Sequence, residues 1–101
     1  MPNVLLKEAV ANAMEFAKSV LEPQRTTDMR LEEVEWEDRP DGEVWLITLS
    51  MARPRLAVEG TVNPLSLGIL SIGPRDYKTF TVRCDDGRVV SMKIRELVHA
   101  E

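Results

Sequence analysis

Three features of the sequence predict an α+β fold in which an N-terminal helix packs across a four-stranded antiparallel sheet. Apolar residues first recur with the period of a helix, and from residue 27 onward they recur with a period of two. Two turn signatures, Pro-Asp-Gly at 40–42 and Asp-Asp-Gly at 85–87, divide the strand regions into two consecutive hairpins. Since 101 residues is the length of one domain, we expect residues 1–101 to form a single domain with strand order 1-2-3-4.

The first element is a helix predicted over residues 3–22. Asn3 is the expected N-cap, and Pro23 ends the helix because it disfavours the helical conformation in the residue before it. The stripe expected to face the sheet contains Leu6, Val10, Ala13, Ala17 and Val20. The opposite, polar side contains Lys7, Glu8, Asn12, Glu15, Ser19 and Glu22.

The first hairpin is predicted over residues 27–51. The alternation of apolar residues slips by one position between Leu31 and Val34, and an uncorrected slip would turn the rest of the strand to the wrong face. We therefore expect a β-bulge near Glu32 and Glu33. The second strand has one strongly apolar face, formed by Trp45, Ile47, Leu49 and Met51.

The connection over residues 52–75 is long and unusually apolar for a loop. Its large aliphatic side chains are Leu65, Leu67, Ile69, Leu70 and Ile72. Two interpretations follow: these side chains fold back over the second face of the sheet, or they bind a protein. An exposed apolar patch of this size drives association, so we expect them to be buried against another protein or a second copy, most simply in a two-fold homodimer.

The second hairpin is predicted over residues 76–97. Phe80, Val82 and Cys84 share one face of its first strand. Gly87 supplies the positive φ that the turn needs. In the last strand, Val90, Met92 and Ile94 are expected to face the core.

The two hairpins carry opposite charge. Residues 27–43 contain eight acidic residues and two arginines, a net charge of −6, whereas residues 75–95 have a net charge of +3. We expect these charges to pair across the outer face of the sheet, leaving Arg88 as the basic residue most available to a partner. Glutamates on the first strand, and Lys93 and Arg95 on the last, protect the two open edges from further pairing.

No pattern of residues indicates catalysis, a metal or a cofactor. The acidic residues between 32 and 43 lack the spacing of a calcium loop and alternate between two faces. The one histidine, His99, lies near the C-terminus, and Cys84 has the parity of the buried face, which is typical of an inert thiol. Trp36 lies before the first turn, where it either packs in the core or anchors a partner.

The net charge of −4 and the sequence pI of about 5.0 argue against a non-specific nucleic-acid binder. We find no apolar run long enough to span a membrane and no signal-peptide pattern at the N-terminus. The single cysteine excludes an intrachain disulfide, so the sequence indicates a cytoplasmic protein.

The segment 76–94, with its aromatic strand, Asp-Asp-Gly turn and Gly-x-Val-x-x-hydrophobic strand, resembles the closing hairpin of PepSY-type domains. The segments 31–36 and 44–49 are similar to the first hairpin of that family. The resemblance covers residues 5–97 apart from the 52–75 connection. It implies a cystatin-like fold and a non-catalytic module, found in protease propeptides and other bacterial proteins, that binds or regulates proteins.

The function favoured by the sequence is therefore a non-catalytic protein-interaction or regulatory module. The residues expected to bind the partner are Leu65, Leu67, Ile69, Leu70, Ile72, Trp36 and Arg88. A second hypothesis is a ligand-binding or enzymatic domain with a pocket between helix and sheet, although the inward positions carry no polar group to orient a ligand. A third is an acidic immunity or inhibitor protein, which would bind a basic enzyme with strong salt dependence.

Overall fold

One helix lies on one face of a four-stranded antiparallel sheet, which confirms the predicted fold class. The computed structural model describes residues 3–53 and 75–95. Its elements are helix α1 (Leu6–Val20), a 3₁₀ turn (Pro23–Arg25), and strands β1 (Arg30–Arg39), β2 (Gly42–Ala52), β3 (Arg75–Arg83) and β4 (Val89–Arg95). The strand order β1-β2-β3-β4 is the predicted one, and each strand pairs with its neighbour in sequence.

The helix is shorter than predicted at both ends. It begins at Leu6 rather than at residue 3, and Leu5 occupies the N-cap without a side-chain hydrogen bond, so Asn3 is not the N-cap. The segment before the helix is held by the sheet instead, because the Val4 amide donates to the Cys84 carbonyl over 2.8 Å. Pro23 lies at the start of the 3₁₀ turn, beyond the end of the helix at Val20.

The centre of the buried helix stripe lies on three alanines. Ala9, Ala13 and Ala17 are fully buried, whereas Leu6 and Val20 are exposed, contrary to the expectation that those two residues face the sheet. Alanines at a spacing of four residues let the helix approach the sheet closely, and the larger Val10, Met14, Phe16 and Leu21 pack at their sides. The edge of Phe16 meets the ring of Phe80 with centroids 6.3 Å apart.

Asn12 does not lie on a solvated side of the helix as expected. Its Nδ2 donates a 2.9 Å hydrogen bond to the carbonyl oxygen of Gly87, in the turn before β4. Gly87 has a φ of +76°, which confirms the positive φ predicted for this turn. A Cβ on Gly87 would lie only 2.8 Å from the Asn12 amide nitrogen, so the close approach of helix and turn requires glycine.

The predicted bulge is confirmed in β1. Leu31 pairs with Leu49 of β2, while Glu33 pairs with Thr48, so the register shifts by one residue at Glu32. The shift returns Val34 and Trp36 to the face that carries Leu31, because it cancels the slip in the alternation. All three apolar residues of β1 therefore lie on the helix side of the sheet.

The last strand differs from expectation. Val82 pairs with Val89 rather than with Val90, because the register between β3 and β4 shifts after Thr81. Val89 packs against the core, while Val90 is half-exposed. Ile94 is also expected to face the core, but it is 77% exposed, since it lies on the open edge of the sheet near the end of β4.

The core lies between α1 and the two central strands. Its large, fully buried side chains are Ile47, Leu49 and Met51 of β2 and Phe80 and Val82 of β3. The outer face of the same strands is polar yet also buried at Thr48, Ser50 and Thr81. Of the connection predicted over residues 52–75, Ala52 belongs to β2 and Arg75 to β3. Residues 54–74 lie outside the described residues, and with them Leu65, Leu67, Ile69, Leu70 and Ile72.

Candidate functional site

The helix side of β1 is apolar but incompletely covered. Helix α1 packs against β2, β3 and β4. The three apolar residues of β1 on this face, Leu31, Val34 and Trp36, are called here the β1 strip. Leu31 is 46% exposed and Trp36 is 48% exposed, whereas Val34 is half-buried. The β1 strip is thus a continuation of the core face that the helix leaves partly open to solvent.

Pairing with β2 fixes the position of each residue in the β1 strip. Each of them lies opposite an apolar residue of β2: Leu31 opposite Leu49, Val34 opposite Ile47, and Trp36 opposite Trp45. Cross-strand neighbours on one face are within side-chain contact distance. The side chains of β2, of which Ile47 and Leu49 are fully buried, therefore fix the position of the strip on the sheet.

The two tryptophans face each other across β1 and β2 but differ in environment. Trp45 is half-buried, and its indole Nε1 donates a 2.9 Å hydrogen bond to the Val4 carbonyl oxygen. Trp36, on the edge strand, exposes about half of its surface. Trp36 has two interpretations, a core residue or a partner anchor. Its half-exposed position favours the anchor, because a partner could still bury the exposed half of the indole ring.

The opposite face of β1 is acidic. Glu33, Glu35 and Glu37 alternate along the outer face, opposite Thr48, Leu46 and Val44 of β2. The Arg95 guanidinium reaches from β4 over the sheet to form an ion pair with Glu33, and it lies 3.4 Å from the Thr48 hydroxyl. This contact joins the two hairpins in the way that their opposite charges predict.

A second polar cluster closes the outer face at the other end of the central strands. The side chain of Arg75 is only 10% exposed; its Nε donates to the Ser50 hydroxyl over 2.7 Å and its Nη1 to Asp28 over 2.9 Å. Ser50 in turn donates a 2.6 Å hydrogen bond to the Glu32 carboxylate. The cluster ties the start of β3 to the turn before β1, across β2.

Asp28 accepts hydrogen bonds from two arginines in this cluster. Hydrogen bonds from the guanidinium groups of Arg30 and Arg75 hold the pKa of its carboxyl below the usual value of 3.8. Its backbone has a φ of +52°, a left-handed conformation that aspartate tolerates better than most residues. Because Asp28 is ion-paired with Arg30 and Arg75, and the Glu32 carboxylate accepts a hydrogen bond from Ser50, the cluster is suited to holding the strands together.

The remaining candidates for chemistry are structural where the structure describes them. Cys84 is buried, as predicted from its parity, and burial, followed by the carboxylates of Glu43 and Asp85, raises the pKa of its thiol. Asp86 accepts a hydrogen bond from the Arg88 amide, as expected for a turn residue. Among residues 3–53 and 75–95, no three potential metal-ligating side chains come together.

The edge at β4 has its own exposed residues. Ile94 lies on the helix side, opposite Lys78, and is the most exposed large apolar residue of the described chain. Arg88 is exposed beside the turn, but β2 and β3 separate it from Trp36, so the structure does not bring these two predicted residues into one site. A row of four paired residues crosses the sheet between them and spans about 14 Å from edge to edge: Trp36, Trp45, Val82 and Val89.

Sequence reasoning identified Trp36 but not the rest of this surface. The bulge places Leu31, Val34 and Trp36 on one face of the sheet. The alternation of apolar residues does not show whether a helix covers that face. Ile94 was assigned to the core on the same alternation. The available signal was position in the strand order, because the first and last strands of an open sheet are always its edges.

Comparison of the chain with protein-family models, with curated proteins and with solved structures finds no match. Within the described part of the chain, no helix has both the length and the apolar character needed to cross a membrane. The candidate functional site therefore rests on geometry alone: a half-exposed apolar strip on one face of an edge strand and a row of glutamates on the other.

Proposed function

We propose that this protein is a non-catalytic protein-interaction module that binds an extended segment of a partner along the edge of β1. The observation that carries the proposal is Trp36, which exposes about half its surface on a strip continuous with the core. Tryptophan is enriched among the residues that dominate binding energy, and a half-exposed one on a rigid strand is typical of an anchor.

The edge of β1 also offers backbone groups. Because β1 pairs only with β2 among the described strands, its other side carries N–H and C=O groups available to an added strand. An extended peptide that joins a sheet edge gains affinity from main-chain hydrogen bonds and specificity from alternate side chains. A partner for β1 would alternate apolar residues, facing Val34 and Trp36, with a basic residue, facing Glu35.

Absence of catalysis is part of the proposal, and the packing of the helix on the sheet supports it. The fully buried Ala13, Ile47 and Phe80 fill the centre of that layer with apolar atoms. Among the described residues, the buried charged side chain on this face is Lys78, which lies between Leu49 and Ile94. A ligand pocket needs convergent polar groups to orient a substrate. The buried hydroxyls of Thr48 and Ser50 belong to the opposite face and are hydrogen-bonded within the sheet.

The alternative of an acidic inhibitor draws less support from the charges. Glu33 is paired with Arg95 of the same sheet, and Glu37 is paired with Arg39. An acidic surface that mimics nucleic acid would need such carboxylates unpaired to attract a basic enzyme. The strip and the edge together are the better basis for recognition.

The proposal also keeps the predictions from the sequence that concern the family resemblance, the cellular location and the other partner-binding residues. The helix on a sequentially ordered antiparallel sheet is compatible with the PepSY-like, cystatin-like resemblance, which itself implies protein binding. A cytoplasmic setting is supported by the one cysteine of the sequence, Cys84, which is a buried free thiol. Arg88 and the apolar residues of 54–74 are retained as further candidate contacts with the partner.

The test uses synthetic peptides of about nine residues, the length of a typical strand. One alternates lysine and valine, a second alternates glutamate and valine, and a third is a scrambled version of the first. Hydrogen exchange of backbone amides reports where each binds. We expect the lysine-valine peptide to slow exchange along residues 30–39 and the other two to do so far less.

Two variants complete this test. Trp36→Lys should abolish the protection, whereas Leu5→Lys, which changes a largely exposed residue beside the helix, should leave it intact. Equal protection by the scrambled peptide, or none along β1 with any peptide, would contradict strand addition at this edge.

The competing reading of the acidic hairpin as a cation sensor has its own measurement. Calorimetric titration with calcium or magnesium should give no stoichiometric binding, because Glu33, Glu35 and Glu37 are spread along a strand rather than gathered in a loop. A micromolar binding isotherm would return the acidic residues to consideration as a metal site.

A further inference from the structure

The two open edges of the sheet are complementary to each other. Strand β1 carries five acidic residues and two arginines, a net charge of −3, while β4 carries Lys93 and Arg95 and a net charge of +2. Charge on an edge strand discourages pairing with a like edge. Arg95 already pairs with Glu33 of the same chain, but Lys93 and the other acidic residues of β1 favour pairing between unlike edges, because opposite charges directly across an antiparallel pair are stabilising.

The exposed apolar residues at the edges are on the same face. Leu31 and Trp36 on β1 and Ile94 on β4 all have the parity of the helix side, and each leaves nearly half or more of its surface exposed. When β1 of one copy lies beside β4 of another, the apolar residues of the two edges become cross-strand neighbours. The pairing therefore buries apolar surface that one chain alone cannot bury.

The strand directions allow this pairing without rotation of either copy. In the order β1-β2-β3-β4 with every pair antiparallel, β4 runs opposite to β1. A second copy displaced across the sheet thus presents its β4 antiparallel to β1, with both helices on the same face. A register that sets Lys93 opposite Glu35 on the outer face also sets Ile94 opposite Val34 and Met92 opposite Trp36 on the helix side, so charged and apolar contacts are satisfied together.

The helices leave room for the second copy. Four strands displace neighbouring copies by about 19 Å, whereas a helix with its side chains is about 10–12 Å wide. Because the main contacts of α1 are with β2, β3 and β4, the helix of the second copy lies beside the β1 strip of the first. The uncovered strip then falls between two helices.

We propose that the partner strand recognised by β1 is β4 of a second copy of this chain, joined head to tail. This inference rests on the proposed function, since both use the β1 edge, and it names the partner. The interface is heterologous: each copy keeps one free β1 and one free β4, so assembly is open-ended and has no fixed upper size. It differs from a two-fold dimer, in which the same surface meets itself.

The test pairs two variants that each block one edge. Trp36→Lys places a positive charge on β1 against the basic β4, and Ile94→Glu places a negative charge on β4 against the acidic β1. Sedimentation should show the parent growing steadily in mass with concentration and less so at high salt. Each variant alone should associate at least about tenfold more weakly, as expected for loss of an interface anchor.

Mixing the two variants is the decisive measurement. Each retains the edge that the other lacks, so an equimolar mixture should form a 1:1 complex and grow no further. A two-fold interface through β1 or β4 would not be restored in this way. Leu5→Lys serves as the matched control for added charge and should associate like the parent.

Two outcomes would overturn the inference. One is a parent that stays monomeric at low salt and at about millimolar concentration, where even a weak interface would associate. The other is a mixture that remains as monomeric as its two components. If either occurs while lysine-valine peptides still protect β1 from exchange, the inference about the second copy fails and the proposed function stands; if no peptide protects β1, both fail.

Discussion

The two central strands and the edge strand β1 share one face of the sheet but differ in how completely it is buried. On β2 and β3, Ile47, Leu49 and Phe80 are fully buried beneath α1. On β1, Leu31 and Trp36 expose nearly half of their surface. Both regions have the same alternation of apolar residues, so alternation does not account for the difference.

The width of the helix accounts for it. The axes of the first and last strands of a four-stranded sheet lie about 14 Å apart, while one helix with its side chains is about 10–12 Å wide. The hydrogen bond from Asn12 to Gly87 anchors α1 on the side of the turn before β4, and the bond from Trp45 to Val4 anchors the segment before it. A single helix held there covers the centre and leaves Leu31 and Trp36 of β1 partly exposed.

The largest expected effect contrasts the two regions directly. Phe80→Ala should lower the free energy of unfolding by about 3–5 kcal/mol and Ile47→Ala by about 2–5 kcal/mol, because each leaves a cavity beneath the helix. Val34→Ala, on half-buried β1, should cost only about 1 kcal/mol. Denaturant midpoints measure all three.

These core losses are a large part of the roughly 5–15 kcal/mol that stabilises a typical domain. Equal losses at Val34 and Phe80 would mean that β1 is as well covered as the centre. Unchanged midpoints for Phe80→Ala would mean that the faces of the sheet are inverted.

The next effect concerns the outer face, where charged side chains rather than a helix bury the central strands. Arg75→Ala should cost about 1.5–3 kcal/mol, because it leaves the buried Ser50 hydroxyl and the Asp28 carbonyl without their donor. Thermal unfolding measures the loss.

Two substitutions control the Arg75 experiment. Arg75→Lys should recover little of the loss, since an ammonium group cannot reproduce the fork of contacts to Ser50 and Asp28. Arg39→Ala removes an exposed ion pair with Glu37 and should have a much smaller effect. If the alanine variants at 75 and 39 are equally stable, the outer face does not depend on the Arg75 cluster.

The coupling between Gly87 and Asn12 is a smaller effect, and it tests what holds the helix away from β1. Gly87→Ala should cost about 1–2 kcal/mol for the left-handed backbone. It should cost about 0.5–1.5 kcal/mol more for the displaced hydrogen bond of Asn12, whose amide nitrogen the new Cβ would approach to 2.8 Å.

The part of the Gly87→Ala cost that comes from the Asn12 hydrogen bond should disappear in an Asn12→Ala background. A double-mutant cycle measured by chemical denaturation tests this. Gly42→Ala is the matched control, since Gly42 also has a positive φ, +133°, but has open space around its Cβ position. A Gly87→Ala cost that is the same with and without Asn12 would show that the contact does not position the helix.

The smallest effect is a pH dependence at Asp28, beside the start of β1. Its pKa is lower in the folded chain than the usual 3.8, because Arg30 and Arg75 favour the charged form. A depressed folded pKa stabilises the protein above the unfolded pKa, and that stability is lost as the pH falls through the folded pKa. Thermal midpoints should therefore be level above about pH 5 and fall below about pH 4.

Asp28→Asn should flatten part of this acid limb, because asparagine tolerates the same left-handed backbone but does not titrate. Asp41→Asn, at the exposed turn of the first hairpin, is the control and should leave the acid limb as in the parent. An acid limb that is identical in the parent and in Asp28→Asn would remove Asp28 from the contacts that hold β1 to β3.

The local elements were predictable because each has a local cause. The alternation slip between Leu31 and Val34 predicted the bulge, since only an extra residue restores the faces. Gly87 predicted a positive φ in its turn, and opposite charges on the hairpins predicted a contact such as Arg95 with Glu33. The errors occurred where a distant element decides: Asn12 was assigned to solvent, and Ile94 to the core.

The sequence by itself determined the four strands, their order, their faces and the charge of each edge, because period, turn residues and net charge are properties of neighbouring positions. Only the tertiary structure decided which part of the apolar face is covered. That choice depends on where one narrow helix is anchored on a wider sheet, through contacts of Val4 with Trp45 and of Asn12 with Gly87. Residues identical in pattern, Ile47 in the core and Trp36 on the edge, therefore have different roles, because burial depends on what lies above a strand as well as on the strand's own sequence.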